Sequence, residues 1–188
     1  MSAATPDDQP LRSLDQAFGV CLAPSRVDDV ETIYKPKSLH RLDAESAKLM
    51  KRLIDVTEEG LRVTRYVYSE LPLLWVVDGR GDIWFSLEEV VDRDGNYLFP
   101  KPSRVPVATP SKKLGHPSLI GGEQGRIGGE ILYDTGAAPP RWFITNRSGR
   151  YGVRAGRTPE HLANVARMFG AYGIEFAADF YPPPDGAL

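Results

Sequence analysis

The spacing of apolar side chains changes several times along this chain, and each change marks an element. Between Asp43 and Gly60, Leu49, Met50, Leu53, Ile54 and Thr57 fall on one helical face. The pattern predicts a helix over 43–59, with Asp43 as N-cap and Gly60 as C-cap. From Leu61 to Tyr68 apolar and polar residues alternate, the period of a strand. The runs Leu73–Val77 and Ile83–Leu87 flank Asp78-Gly79-Arg80-Gly81-Asp82 and predict a hairpin. Asp94-Gly95 marks a further turn before Tyr97-Leu98-Phe99, and prolines at 100, 102, 106 and 110 make the next stretch irregular or an edge. Arg126–Tyr133 and Arg141–Asn146 read as paired strands. Thr158-Pro159-Glu160 then opens a helix with a cap, a first-turn proline and an acid at the positive dipole end. Leu162, Val165, Ala166 and Phe169 form its buried face, Gly173 ends it, and Ile174-Glu175-Phe176 adds a short strand. The fold class expected is α+β: a mainly antiparallel sheet with one helix before it and one C-terminal helix, in a single domain over 11–178. Residues 1–10 and the Pro-rich 179–188 are expected to be loose tails.

Composition narrows the function classes. The 188 residues are 41% apolar, enough for a core, and 26% charged, as in ordinary globular domains. A lone cysteine, Cys21, excludes an internal disulfide and a multi-cysteine zinc site. No apolar run approaches the roughly 20 residues of a membrane span, and the N terminus lacks the basic start and apolar stretch of a secretory signal. The expected location is cytoplasmic, with export independent of a cleavable signal left open, and no membrane partner is expected.

Charge is segregated. Residues 1–100 carry 12 Lys/Arg against 18 Asp/Glu, whereas residues 101–157 carry 10 against 3. Such a block suits either an anionic ligand or an acidic partner surface, or it folds against the acidic N-terminal half. Nucleic acid is the weaker partner because the whole chain is acidic.

Within that block, six of the fifteen residues from Gly115 to Gly129 are glycine, interspersed with His116, Ser118, Arg126 and, just beyond, Glu130. Glycine admits positive φ and close backbone approach at an entropic cost, so its repetition among ionisable groups points to a site at 115–157. His116 titrates near neutrality and suits general acid–base work. Glu130, a carboxylate among cations, is expected to stay ionised. Tyr151 can stack on a flat ring, and Arg150 can bind phosphate or carboxylate. The set expected to be catalytic is His116, Glu130 and Tyr151. Ser118, Gly121, Gly122, Arg126, Asn146, Ser148, Gly149 and Arg150 are expected to bind substrate. In a strand, His116 and Ser118 would share a face. The bland readings are a turn-capping His, a plain Ser148-Gly149 turn and a core Tyr151.

The order Gly-His-Pro-Ser-Leu-Ile-Gly-Gly (115–122), Gly-Gly-Glu-Ile (128–131), Ile-Thr-Asn-Arg-Ser-Gly-Arg-Tyr (144–151) and a capped helix resembles the C-terminal domain of plant IQ-motif calmodulin-binding proteins and related bacterial toxin-like proteins. The likeness covers about residues 70–176 and lends weight to His116, Ser118, Gly121, Gly122, Ser148, Gly149 and Tyr151. Arg150 stands where the family pattern has His, and the Ile-Gln segment has no counterpart, so calmodulin is not carried over. The expected function is an effector or toxin-like enzyme acting on a nucleotide or NAD-like anion, with ADP-ribosyl or other group transfer in view. NAD enters as a substrate, and no metal is expected. The alternative is a binding module or immunity-type adaptor that docks an acidic partner. Asp92-Arg93-Asp94-Gly95-Asn96 matches a calcium loop only briefly and reads as a turn, since Ser103 stands where the bidentate Glu belongs.

Overall fold

The computed structural model describes residues 8–183 apart from residue 61; the outer parts of both expected tails, 1–7 and 184–188, lie outside the described residues. Helix α1 (Asp8–Phe18) takes in residues 8–10 of the expected tail. It is followed by α2 (Asp29–Ile33), β1 (His40–Arg41), α3 (Ala44–Glu58) and α4 (Arg62–Glu70). Then come β2 (Leu73–Asp78), β3 (Ile83–Leu87), β4 (Glu89–Val91), β5 (Tyr97–Pro100) and β6 (Lys112–Leu114). Helix α5 (His116–Leu119), β7 (Gly125–Asp134), β8 (Arg141–Thr145), α6 (Pro159–Gly170) and β9 (Ala177–Asp179) complete the chain. The fold is α+β and mainly antiparallel. Six strands run in the order β1-β3-β2-β7-β8-β9, and a smaller sheet in the order β5-β4-β6.

Local chemistry explains the elements read correctly. The Asp43 carboxylate accepts from the amides of Glu45 and Ser46, and Gly60, at φ +121°, follows the C-cap Glu59. Thr158 caps α6 with Pro159 behind it. The β2–β3 hairpin pairs Leu73 with Leu87 and Val77 with Ile83. Its turn is organised by Asp78, which accepts from the amides of Arg80 and Asp82 and from the Trp84 indole. Asp92 does the same for the Asp94 and Asn96 amides, so the calcium-like segment is a turn that uses its own acid.

Several expectations are corrected. Among the described residues four helices, not one, precede the strands of the central hairpin. The segment read as a strand to Tyr68 is α4, because tertiary contacts override its period. Arg65 donates to the Thr57 and Glu58 carbonyls at the C-terminal end of α3, and the Tyr68 ring packs on Trp142 at 5.3 Å. His116 and Ser118 lie on the single helical turn α5 and not on a strand. The last strand is Ala177–Asp179, not 174–176, since Ile174 is drawn into the core and parallel pairing with β8 begins at Phe143↔Ala177. Leu49 is exposed, while Ala47, Met50, Ile54 and Thr57 supply the inward face of α3.

Alternation along β2 divides the packing. Leu73, Trp75 and Val77 join Phe18, Met50, Ile54, Trp142, Leu162, Val165 and Phe169 in the main core under α1, α3 and α6. Leu74 and Val76 face the other way and form a smaller cluster with Leu119 and Tyr151. Both faces of β2 are therefore covered, which is why Leu73–Val77 is an unbroken apolar run.

That second face is held by a buried acid. Glu31 is fully buried and accepts from the amides of Asp28 (2.8 Å) and Gly115 (3.1 Å) and from the Arg150 guanidinium (3.1 Å). It ties α2, α5 and the 148–150 loop together. A Cβ on Gly115 would lie 2.8 Å from Glu31 Oε1, so this glycine serves close approach. Removing one partner of a buried ion pair typically costs about 3–5 kcal/mol. Glu31→Ala is expected to lower stability by about that amount. Urea unfolding is expected to show a lower midpoint at an unchanged slope.

Candidate functional site

Glu130 and Leu132 alternate with inward-facing Ile131 and Tyr133 on β7, so their side chains emerge on the second face. There they floor a polar cavity of about 330 Å³. His116 enters from α5, Glu88 from the residue joining β3 to β4, Lys101 and Ser103 from the segment after β5, and Lys113 from β6. Arg147, Ser148, Gly149 and Arg150 close it from the loop after β8.

The ionisable groups here are displaced in opposite senses. His116 is buried, with Nε2 2.9 Å from the Gly129 carbonyl. A carbonyl partner requires Nε2 to carry the proton, which leaves Nδ1 as the ring's acceptor. Burial opposes protonation and takes the imidazole down to about 4. Glu130 moves the other way: loss of solvent raises its carboxyl above the ordinary value despite Arg147, whose Nε is 4.0 Å away. The cations of this basic stretch therefore do not hold the Glu130 carboxyl below its ordinary range. Desolvation outweighs the neighbouring charge, because the nearest cations are committed elsewhere. Glu88 takes both Lys113 (2.8 Å) and Lys101 (3.3 Å), and Glu31 takes Arg150. The guanidinium of Arg147 is half-exposed and makes no hydrogen bond among the described residues.

Of the residues singled out in the sequence, His116, Glu130, Ser148, Gly149 and Arg150 share this cavity, and the others do not. Tyr151 is wholly buried beside Leu74 and Leu119, its hydroxyl donates to the Glu123 carbonyl at 2.8 Å, and burial pushes its pKa up. Ser118 is buried and donates to the Gly115 carbonyl. Gly121 and Gly122, at φ +66° and +78°, form the turn after α5, and Gly122 borders a different groove beside Cys21. Arg126 is buried against Asp15 and the carbonyls of Gly19 and Gly79. Asn146 is buried and bonds the backbone of Gly152 and Tyr181. Tyr151, Arg126 and Asn146 are held by partners remote in sequence. Arg154 likewise donates to the Ala23 carbonyl, so part of the basic block folds against the N-terminal segment.

Glu88, Lys101 and Lys113 were missed. The only available signal was their membership of a charged stretch, since the small sheet that gathers them is not readable from local period. Many of the glycines serve packing: a Cβ at Gly129 would fall 1.7 Å from the Thr145 carbonyl oxygen, and one at Gly152 2.0 Å from that of Gly128. Among the described residues no cluster of three metal-ligating side chains occurs, and no helix is long and apolar enough to cross a membrane.

Compared with known proteins, the chain matches no family model, no curated sequence and no solved structure. The likeness to the plant domain therefore rests on its motifs alone.

Two pH effects follow from the geometry. An imidazole held at about 4 against an ordinary 6.5 binds its proton more readily in the unfolded chain. Stability is then complete above pH 6.5 and falls as pH drops towards 4, by on the order of 3 kcal/mol. His116→Asn is expected to flatten that limb of a stability–pH curve measured by urea unfolding. Glu130 has the opposite sign: its raised value means that the folded state loses stability as pH rises through it. Glu130→Gln is expected to raise the melting temperature at pH 7, and an unchanged or lower value would contradict the desolvation of this carboxyl.

Proposed function

We propose that the protein is an acid–base enzyme acting on an anionic substrate in the cavity at Glu130. One observation carries this reading: a carboxyl raised by burial and an imidazole kept neutral line the same cation-rich hollow. Oppositely displaced titratable groups in a cavity are a recurrent mark of acid–base sites. Glu130, closer to the working pH than an ordinary carboxylate, exchanges a proton with the substrate. His116 Nδ1 accepts a hydrogen bond from a substrate hydroxyl or amine. Arg147, whose guanidinium makes no hydrogen bond among the described residues, holds the anionic group, and Lys101 and Lys113 add positive potential.

Tyr151 belongs to the core, which removes one member of the triad that made ADP-ribosyl transfer attractive. Glu130 and His116 suit hydrolysis or transfer at a phosphorylated centre equally well, and an effector-type transferase using NAD is the more specific form of the same proposal. A binding module is the second reading. It is favoured by the engagement of Lys101 and Lys113 with Glu88 and of Arg150 with Glu31, which leaves fewer cations to drive catalysis.

A panel of inorganic phosphate, NAD and ATP, followed by thermal shift and by chromatography of products, separates the two. Ligand binding raises the melting temperature of the wild type, and the rise shrinks as salt screens Arg147. Glu130→Gln is expected to keep binding and to lose product formation by about 100-fold or more. Full turnover in both Glu130→Gln and His116→Ala would end the catalytic reading, whereas binding without products in any variant or in the wild type would establish the module.

A further inference from the structure

The hollow at Glu130 adjoins another of about 400 Å³. Glu130, Arg147, Ser148 and Gly149 line both. Beyond these shared residues the two walls differ in kind. One carries Lys101, Lys113 and Arg150, and the other carries Val153, Tyr181 and Pro182. Polar and apolar recognition are thus separated, with Glu130 and Arg147 at the junction.

Tyr181 is fixed there in spite of its place near the end of the described chain. Its amide donates to Asn146 Oδ1 at 2.7 Å, and Asn146 Nδ2 donates to its carbonyl at 2.8 Å. Asn146 is itself fully buried, and β9, which ends two residues before Tyr181, is paired with β8. The Arg147 guanidinium lies 5.5 Å from the ring centroid, a cation–π contact that orders both side chains. Tyr181 remains 37% exposed and lines the hollow, so surface is available there to a ligand.

We infer that the site takes a bipartite ligand, an aromatic or heterocyclic phosphate of the nucleoside monophosphate class. Its phosphate sits with Arg147 and the lysine wall, its ring packs against Tyr181, Val153 and Pro182, and the linkage between them passes Glu130. A hollow of about 400 Å³ is of the size that ligand sites commonly have. The inference rests on the anion-binding reading proposed above and adds the ring subsite, and with it the C-terminal segment, to the site.

Titration of the full chain with inorganic phosphate, adenosine monophosphate and adenosine, followed by NMR shifts, tests it. Adenosine monophosphate is expected to bind the wild type at least about tenfold tighter than phosphate, the scale of one stacked base. Tyr181→Ala is expected to weaken the nucleotide at least about tenfold more than phosphate, so that the advantage is lost, and Tyr181→Phe, which keeps the ring and the backbone clamp, is expected to retain it. Val153→Ser reports on the same wall without disturbing Asn146 or Arg147 and is expected to weaken only the nucleotide. Equal affinity of the wild type for phosphate and nucleotide overturns this inference alone. So does equal weakening of both ligands by Tyr181→Ala, which would mean that the ring only steadies Arg147. Absence of any phosphate binding overturns the anion-binding reading as well.

Discussion

A carboxylate with no access to water must find its donors inside the protein, and Glu31 finds three: two amides and a guanidinium. The constraint is severe because a buried charge left unpaired costs several kcal/mol. It therefore dictates where α2, Gly115 and Arg150 lie relative to one another. His116 is the next residue after Gly115, and Ser148 and Gly149 immediately precede Arg150, so placing this one acid places four lining residues of the cavity. Glu89 acts in a similar way on the small sheet. It is buried, takes the amides of Lys37 and Ser38, and anchors β4 beside Glu88.

The cavity's electrostatics follow from this division of labour. Two buried or nearly buried acids, Glu31 and Glu88, absorb Arg150, Lys101 and Lys113. Glu130 is left with Arg147 at a loose 4.0 Å, and burial prevails over attraction. A protein optimised for stability alone would have paired Glu130 closely or replaced it with an apolar residue. Retaining a desolvated carboxyl opposite a neutral imidazole is a local cost of the kind that functional sites carry.

Glycine played a different part from the one its clustering suggested. Gly115 makes room for Glu31, and Gly129 and Gly152 let β7 and the loop after β8 approach closer than any Cβ allows. The glycines thus shape the cavity indirectly, by letting backbones meet beneath it.

Much of the fold was legible because its signals are local. The capped starts of α3 and α6, the Asp-Gly turns and the apolar runs behind β2, β3, β7 and β8 depend on neighbours within a few residues, and local sequence alone determined them. The same holds for the concentration of positive charge in 101–157 and for His116 and Glu130 as residues to watch. Only the tertiary structure decided that α4 is a helix, since its period is overridden by Arg65 at the end of α3 and Tyr68 on Trp142. It alone removed Tyr151, Arg126 and Asn146 from the cavity, brought in Glu88, Lys101 and Lys113, and set Tyr181 in the adjoining hollow. The physical reason is the same in each case. Burial and ion pairing are set by partners such as Glu31 and Arg150, 119 residues apart, and no local pattern encodes which distant donor a buried acid will find.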